Sequence, residues 1–166
     1  MFEISGDIFN DFRTRPTSAN WNLDEKTLED LLSNDVGLIG NVARSEFSHA
    51  EGYGTSAMDI AAHAEGKWTE ARDKATHAEG LGTIAQRVGS HAEGVGTKAG
   101  MDNDEANDGY GAHAEGVNTY ANGRAAHAEG EDTVAHRRAH AEGYNTQALE
   151  EYSHAEGEGT ITYLPG

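Results

Sequence analysis

The sequence predicts an all-β solenoid built from 14-residue repeats. The tetrapeptide His-Ala-Glu-Gly occurs eight times, most often 14 residues apart, and a Thr stands three residues after each of its Gly residues. An Ala follows that Thr two residues later in every unit except the last. Self-similarity at a fixed period is the sequence signature of repeat architectures. The tetrapeptides begin at His49, His63, His77, His91, His113, His127, His140 and His154.

Composition alone would place this chain among disordered proteins. Its 166 residues carry 29 acidic and 12 basic side chains, a net charge of −17, and Ala is the largest part of the 36% hydrophobic fraction. Such chains normally bury too little apolar surface to fold, but the repeat supplies regular order. The acidic charge argues against nucleic acid as a partner. With no secretion signal and no run of 18 apolar residues, we expect no membrane insertion.

Each unit is long enough for two short strands and two tight turns, but not for a helical hairpin. In the unit around His91, strand alternation places Ser90, Ala92 and Gly94 on one face. His91 and Glu93 lie on the other face. The Thr and Ala of the second strand share a face as well. We therefore expect a narrow interior filled by Ala, Ser, Gly and Thr.

The His and Glu of the tetrapeptide recur in all eight units, whereas the outward positions of the second strand vary. Contact with water alone would not fix one residue pair through eight otherwise divergent copies. A narrow solenoid also buries little surface by itself. We therefore expect the His and Glu face to be buried against another copy of the chain.

The Ser-His-Ala-Glu-Gly units resemble the head repeats of YadA-like trimeric adhesins, which read roughly Ser-Val-Ala-Ile-Gly, and are similar to repeats of phage tail fibres and appendages. The resemblance covers residues 48–162. It implies a left-handed parallel β-roll, three of which pack side by side into a homotrimer with His and Glu turned toward the axis. The axial residues would be His49, Glu51, His63, Glu65, His77, Glu79, His91, Glu93, His113, Glu115, His127, Glu129, His140, Glu142, His154 and Glu156.

The same resemblance implies a non-enzymatic function. We expect a structural trimeric fibre component of a phage virion, in the tail or the head, that mediates attachment to a host-surface glycan or protein. One alternative is a head fragment of a bacterial trimeric adhesin at the cell surface. Another is an ice-binding solenoid that uses the Thr residues, which we disfavour because those residues should face the interior. No cofactor is expected.

The axial His residues allow two interpretations. Imidazoles around an axis could bind a transition metal. We expect hydrogen bonds between His and Glu instead, because metal sites seldom recur in every layer. If the Glu neighbours raise the pKa of the axial His, the stabilisation would fade as pH rises.

Exposed aromatic residues at variable repeat positions are candidate receptor-binding groups, because rings on a fibre flank can stack against sugars. The alternative is that they fill grooves between protomers. These candidates are Trp68, Tyr53, Tyr110, Tyr120 and Tyr144.

An insertion over residues 100–111 interrupts the repeat, and its Asp102, Asp104 and Asp108 suggest an oxygen-rich calcium loop. The loop lacks the Gly and the distal Glu of a calcium-binding loop, so we expect a surface loop without metal. Loops that project from a rigid scaffold often carry recognition.

The remaining segments lack the repeat. Residues 1–47 hold most of the large apolar residues, and Asn22 with Glu25 forms a capping box that predicts a helix over residues 23–33. We expect this segment to cap the solenoid or to attach it to other virion or fibre proteins. Residues 163–166 form a short C-terminal tail.

Overall fold

The computed structural model describes residues 40–101 and 109–163. They belong to one compact unit, which spans Ile39–Gly166. Across these described ranges the chain forms a parallel β-solenoid and contains no helix. The helix predicted over residues 23–33 and the calcium candidates Asp102, Asp104 and Asp108 lie outside the described residues.

Each repeat contributes one long and one short strand. The long strands are β2 (His49–Tyr53), β4 (His63–Lys67), β6 (His77–Leu81), β8 (His91–Val95), β10 (His113–Val117), β12 (His127–Glu131), β14 (His140–Tyr144) and β16 (His154–Glu158). The short strands are β1 (Val42–Ala43), β3 (Ser56–Ala57), β5 (Glu70–Ala71), β7 (Ile84–Ala85), β9 (Lys98–Ala99), β11 (Tyr120–Ala121), β13 (Val134–Ala135), β15 (Gln147–Ala148) and β17 (Ile161–Thr162).

The strands form two parallel sheets, one of eight long strands and one of nine short strands. Each strand pairs with its equivalent in the next coil, so that His91 aligns with His113 and Glu93 with Glu115. The same register holds along the whole described solenoid. Every repeat position therefore becomes a column of side chains that runs along the solenoid axis.

The insertion at residues 100–111 does not disturb these columns. Although 22 residues separate His91 from His113 in the sequence, they are direct neighbours in the sheet. At the end of the insertion, the backbone N–H of Gly111 donates a hydrogen bond to the carbonyl oxygen of Val88 at 3.1 Å. The coils before and after the insertion thus pair directly with each other.

The unit that is one residue short is also absorbed in a turn. His127 and His140 pair in register although they are only 13 residues apart. The shortened turn contains Arg138, whose guanidinium forms an ion pair with Glu151 of the next coil and lies 5.5 Å from the ring centre of Tyr152. These contacts fasten the short turn to its neighbour.

Small residues fill the interior, as the repeat predicts. Thr97 and Ala99 are completely buried, as are Ala92 and their equivalents in neighbouring coils. The buried hydrophobic core of the described region consists entirely of Ala. The absence of Leu and Val from the repeat interior therefore reflects the narrow space between the two sheets.

The expectation that the Gly of each tetrapeptide joins this interior is wrong. Gly94 is only partly buried, and its φ of +111° lies in a region that L-residues rarely adopt. A Cβ at this position would overlap the carbonyl oxygen of Gly116 in the next coil. Gly is therefore required here by backbone geometry and close approach of the coils, and not by core packing.

The interior Thr residues are unusual because their hydroxyls lack partners. In the first seven repeats, the buried Oγ1 atoms of this Thr column accept and donate no hydrogen bond, whereas Thr160 in the last repeat donates to the carbonyl oxygen of Glu156 at 2.8 Å. Thr76, at a different repeat position, instead donates to the carbonyl oxygen of Asp73 at 2.6 Å. The unpaired hydroxyls belong to Thr55, Thr69, Thr83, Thr97, Thr119, Thr133 and Thr146.

Replacement of one interior Thr tests this difference. We expect Thr97→Val to raise the free energy of unfolding by about 1 kcal/mol, because an unpaired buried hydroxyl is replaced by a methyl group of similar shape. The matched variant Thr76→Val removes a made hydrogen bond and should lower it by about 1 kcal/mol. Chemical denaturation measures both values, and a destabilised Thr97→Val protein would show that the column hydroxyls are paired.

Two Gly residues provide a second test. Gly94→Ala should destabilise the solenoid by at least about 3 kcal/mol, because strain and a backbone overlap act together. Gly82 also has a positive φ, of +66°, but a Cβ there meets no atom within 4 Å. Gly82→Ala should therefore cost only about 1–2 kcal/mol. Equal losses in thermal denaturation would contradict the assigned close approach.

Candidate functional site

The repeat histidines form a continuous stack on the outer face of the long strands. Neighbouring ring centroids lie 4.7–5.1 Å apart from His49 to His154. Five of these seven contacts are nearly parallel, with interplanar angles of 3–15°. The rings adopt this spacing because parallel strands are about 4.8 Å apart. We call this feature the His column.

A column of Glu side chains runs beside the His column. From His49 to His140, the Nε2 atom of each repeat His lies 3.4–4.0 Å from an Oε2 atom of the Glu two residues later. Only the His49–Glu51 contact, at 3.4 Å, meets hydrogen-bond geometry. The other distances are too long for N–H···O hydrogen bonds. Within one chain the two columns therefore interact mainly through electrostatics.

Most Nε2 atoms of the His column make no hydrogen bond within the described residues. The Nε2 atoms of His63, His77, His91, His113 and His140 are shielded from water and have no hydrogen-bond partner. Their side chains nevertheless remain 35–40% exposed. The column thus presents partly exposed rings whose polar atoms are incompletely satisfied.

The pKa values of two of these rings are lowered, mainly by burial. Burial lowers the pKa of His91 below its usual value of 6.5, and the neighbouring His77 and His113 lower it further. Glu93 and Glu79 act in the opposite direction but are outweighed. Within one chain, desolvation and like-charge repulsion therefore dominate the pKa of His91.

His140 behaves in the same way. Its pKa is lowered mainly by burial and then by His127 and His154, against the opposing effect of Glu142 and Glu129. The described column thus favours neutral imidazoles at these two positions.

The structure separates the aromatic candidates into different environments. Tyr53 and Trp68 lie together, with ring centroids 6.4 Å apart at an interplanar angle of 62°. Tyr120 is half-buried, and its ring centre lies 5.3 Å from Nζ of Lys98. Tyr144 is exposed on another coil.

Tyr110, at the end of the insertion, is exposed as well, but it has no ring contact with another aromatic residue in the described part of the chain. The five aromatic candidates therefore do not form a single surface. Only Tyr53 and Trp68 are brought into ring contact with each other.

Sequence reasoning missed Lys67 as a member of this cluster. Its Nζ lies 4.3 Å from the ring centre of Trp68 and 5.7 Å from that of Tyr53. Lys67 pairs with Tyr53 across the sheet, because both occupy the residue after the tetrapeptide. An alignment of the repeats by column, instead of by aromatic content, would have identified it.

A metal site is not formed by one chain in the described region. No group of three or more His, Asp or Glu side chains there could hold a metal ion. The described residues also contain no helix that is long and apolar enough to cross a membrane.

Comparison with known proteins adds no family assignment. The chain matches no protein-family model and no curated protein. The fold itself defines the described region as a parallel β-solenoid repeat protein with coils of about 14 residues.

The lowered pKa values predict acid sensitivity. The folded pKa values of His91 and His140 lie below 6.5. As pH falls from above 6.5 toward these values, the unfolded chain therefore binds more protons than the folded chain does. Stability should therefore be complete above the unfolded pKa and decline with acidification. Denaturation between about pH 8 and about pH 5.5, above the range where Glu titrates, measures this.

The variant His91→Gln keeps a polar side chain but cannot titrate. It should show a weaker loss of stability over the same pH range than the unmodified chain. A protein that becomes more stable on acidification would instead indicate that the Glu column controls the protonation of the stack.

Proposed function

We propose that this protein is a non-enzymatic fibre component of a phage virion, in which three solenoids associate side by side as left-handed β-rolls and the fibre attaches to a host surface. The observation that carries the proposal is the unbroken His and Glu face. Residues 1–47 would join other virion or fibre proteins, and the flanks of the solenoid would contact a host glycan or protein.

The electrostatics of this face favour association. In one chain, Glu93 has like-charged neighbours in the coils on either side, Glu79 and Glu115. Like charges at such spacing repel by about 1 kcal/mol per pair even in water. A second copy would place imidazoles opposite these carboxylates and offset part of this repulsion.

An apolar column on the same sheet supports the same interface. Leu81, Val95 and Val117 occupy the residue after the tetrapeptide and are neighbours across the sheet. They remain 40–44% exposed. Since the interior contains only small residues, these are among the few large aliphatic groups of the described solenoid available for burial. Association would remove them from water together with the His column.

The dimensions suit a fibre segment. Eight long strands at a spacing of about 4.8 Å give a rod of roughly 38 Å. Its outer columns repeat side chains at this spacing, which permits substitution in one coil without repacking the others. A rod of this kind can therefore combine a constant association face with variable recognition positions.

The oligomeric state of the full chain tests the proposal. Sedimentation or mass photometry should give a mass of about 53 kDa, three times the 17.7 kDa chain. Glu93→Lys should dissociate the trimer, because it buries three ammonium groups close to one another at the axis. Glu150→Lys makes the same change at an exposed turn and should preserve the trimer.

A stable monomer would overturn the proposed association. A trimer that survives Glu93→Lys unchanged would show that the copies meet through another face. Attachment is measured separately, by binding of the labelled trimer to host cells.

A further inference from the structure

Trp68 has a backbone conformation that is unfavourable for a bulky residue. Its φ is +57°, in the left-handed region, where a large side chain is a rare outlier. It lies in the turn between β4 and β5. The equivalent residues of the other repeats are all Gly, Asn or Asp, which tolerate this conformation: Gly54, Gly82, Gly96, Asn118, Asp132, Asn145 and Gly159.

The indole gains little burial in return for this strain. Trp68 is 56% exposed. Its neighbours in the same column are Gly54 and Gly82, neither of which has a side chain to cover the ring. A Cβ at Gly82 would meet no atom within 4 Å, so the space on that side is open. A strained residue that does not serve packing is a candidate for function.

A positive charge and a second ring complete the cluster. Nζ of Lys67 lies 4.3 Å from the ring centre of Trp68, and the ring of Tyr53 lies 6.4 Å away. Lys67 forms no ion pair with any residue that the structure describes. The ammonium group therefore remains available to an anion.

We propose that Trp68, Tyr53 and Lys67 bind a carboxylated sugar, of the sialic acid or uronate class, on the host surface. The C–H face of the sugar ring would pack on the exposed indole, with Tyr53 at its side. The carboxylate would accept a charge-assisted hydrogen bond from Lys67. This inference rests on the proposed attachment function and specifies its ligand.

The electrostatic surroundings distinguish this cluster from Tyr144. Tyr144 occupies the same column as Tyr53 but pairs across the sheet with Glu131 and Glu158. Its acidic neighbours repel an anionic sugar. In a chain of net charge −17, the site around Lys67 is thus matched to an anionic ligand by its local charge.

Calorimetric titration of the full chain tests the site with three soluble probes: sialyllactose, a glucuronate oligosaccharide and neutral lactose. At least one acidic probe should bind, about tenfold or more tightly than lactose. The two acidic probes distinguish a sialic acid from a uronate ligand. Failure of both to bind would overturn the inference.

Three variants assign the binding to these residues. Trp68→Gly should weaken it at least about tenfold while raising the melting temperature, because strain is relieved. Lys67→Gln should abolish the preference for acidic sugars over lactose. Tyr144→Ala is the matched control and should bind like the unmodified chain. Unchanged binding by Trp68→Gly would overturn the assignment.

The two proposals fail in different ways. If Trp68→Gly still forms trimers that attach to host cells as well as the unmodified chain, the sugar site is wrong and the fibre function stands. If the unmodified trimer binds the acidic probe but not cells, the site stands and the attachment function is wrong.

Discussion

Parallel pairing of each coil with its identical successor is the interaction on which the rest of the structure depends. Because the pairs are in register, His aligns with His, Glu with Glu and Ala with Ala. This stacking is possible only if the residue at each position tolerates a copy of itself at about 4.8 Å. Ala and Thr do so in the interior, and Gly does so where the backbones of adjacent coils come closest.

The His column follows from the same in-register pairing, which brings titratable rings close together. Imidazoles tolerate close stacking when neutral, whereas protonation would place like charges at the ring spacing of 4.7–5.1 Å. Burial and neighbouring rings accordingly lower the pKa of His91 and His140 despite the adjacent Glu residues. The face is therefore organised by stacking along one chain, which leaves most Nε2 atoms of the column shielded and without a hydrogen-bond partner in that chain.

Sequence periodicity was sufficient to predict the solenoid, its two strands per unit and the burial of the Thr and Ala positions. These properties repeat in every coil, so the eight copies together make the pattern recognisable in the sequence. Sequence alternation failed for the Gly of the tetrapeptide, because alternation assumes ordinary strand dihedrals and Gly94 has a φ of +111°. The direction of the His91 pKa shift within one chain also could not be read from sequence order, since Glu93 is two residues away whereas His77 and His113 become neighbours only through the fold.

The Lys67–Trp68 cluster was hidden for a related reason. Lys67 and Trp68 are adjacent in sequence, but Tyr53 joins them from one repeat earlier, and a search for motifs within a unit does not find that contact. Once the repeats are aligned, a residue that differs from its equivalents in the other coils says more about function than a residue that every coil shares. The shared residues satisfy stacking, which all coils require. Trp68 has a positive φ at a position where the other repeats have Gly, Asn or Asp, so stacking does not explain its presence. A role specific to this coil must therefore be sought at the exposed indole beside Lys67.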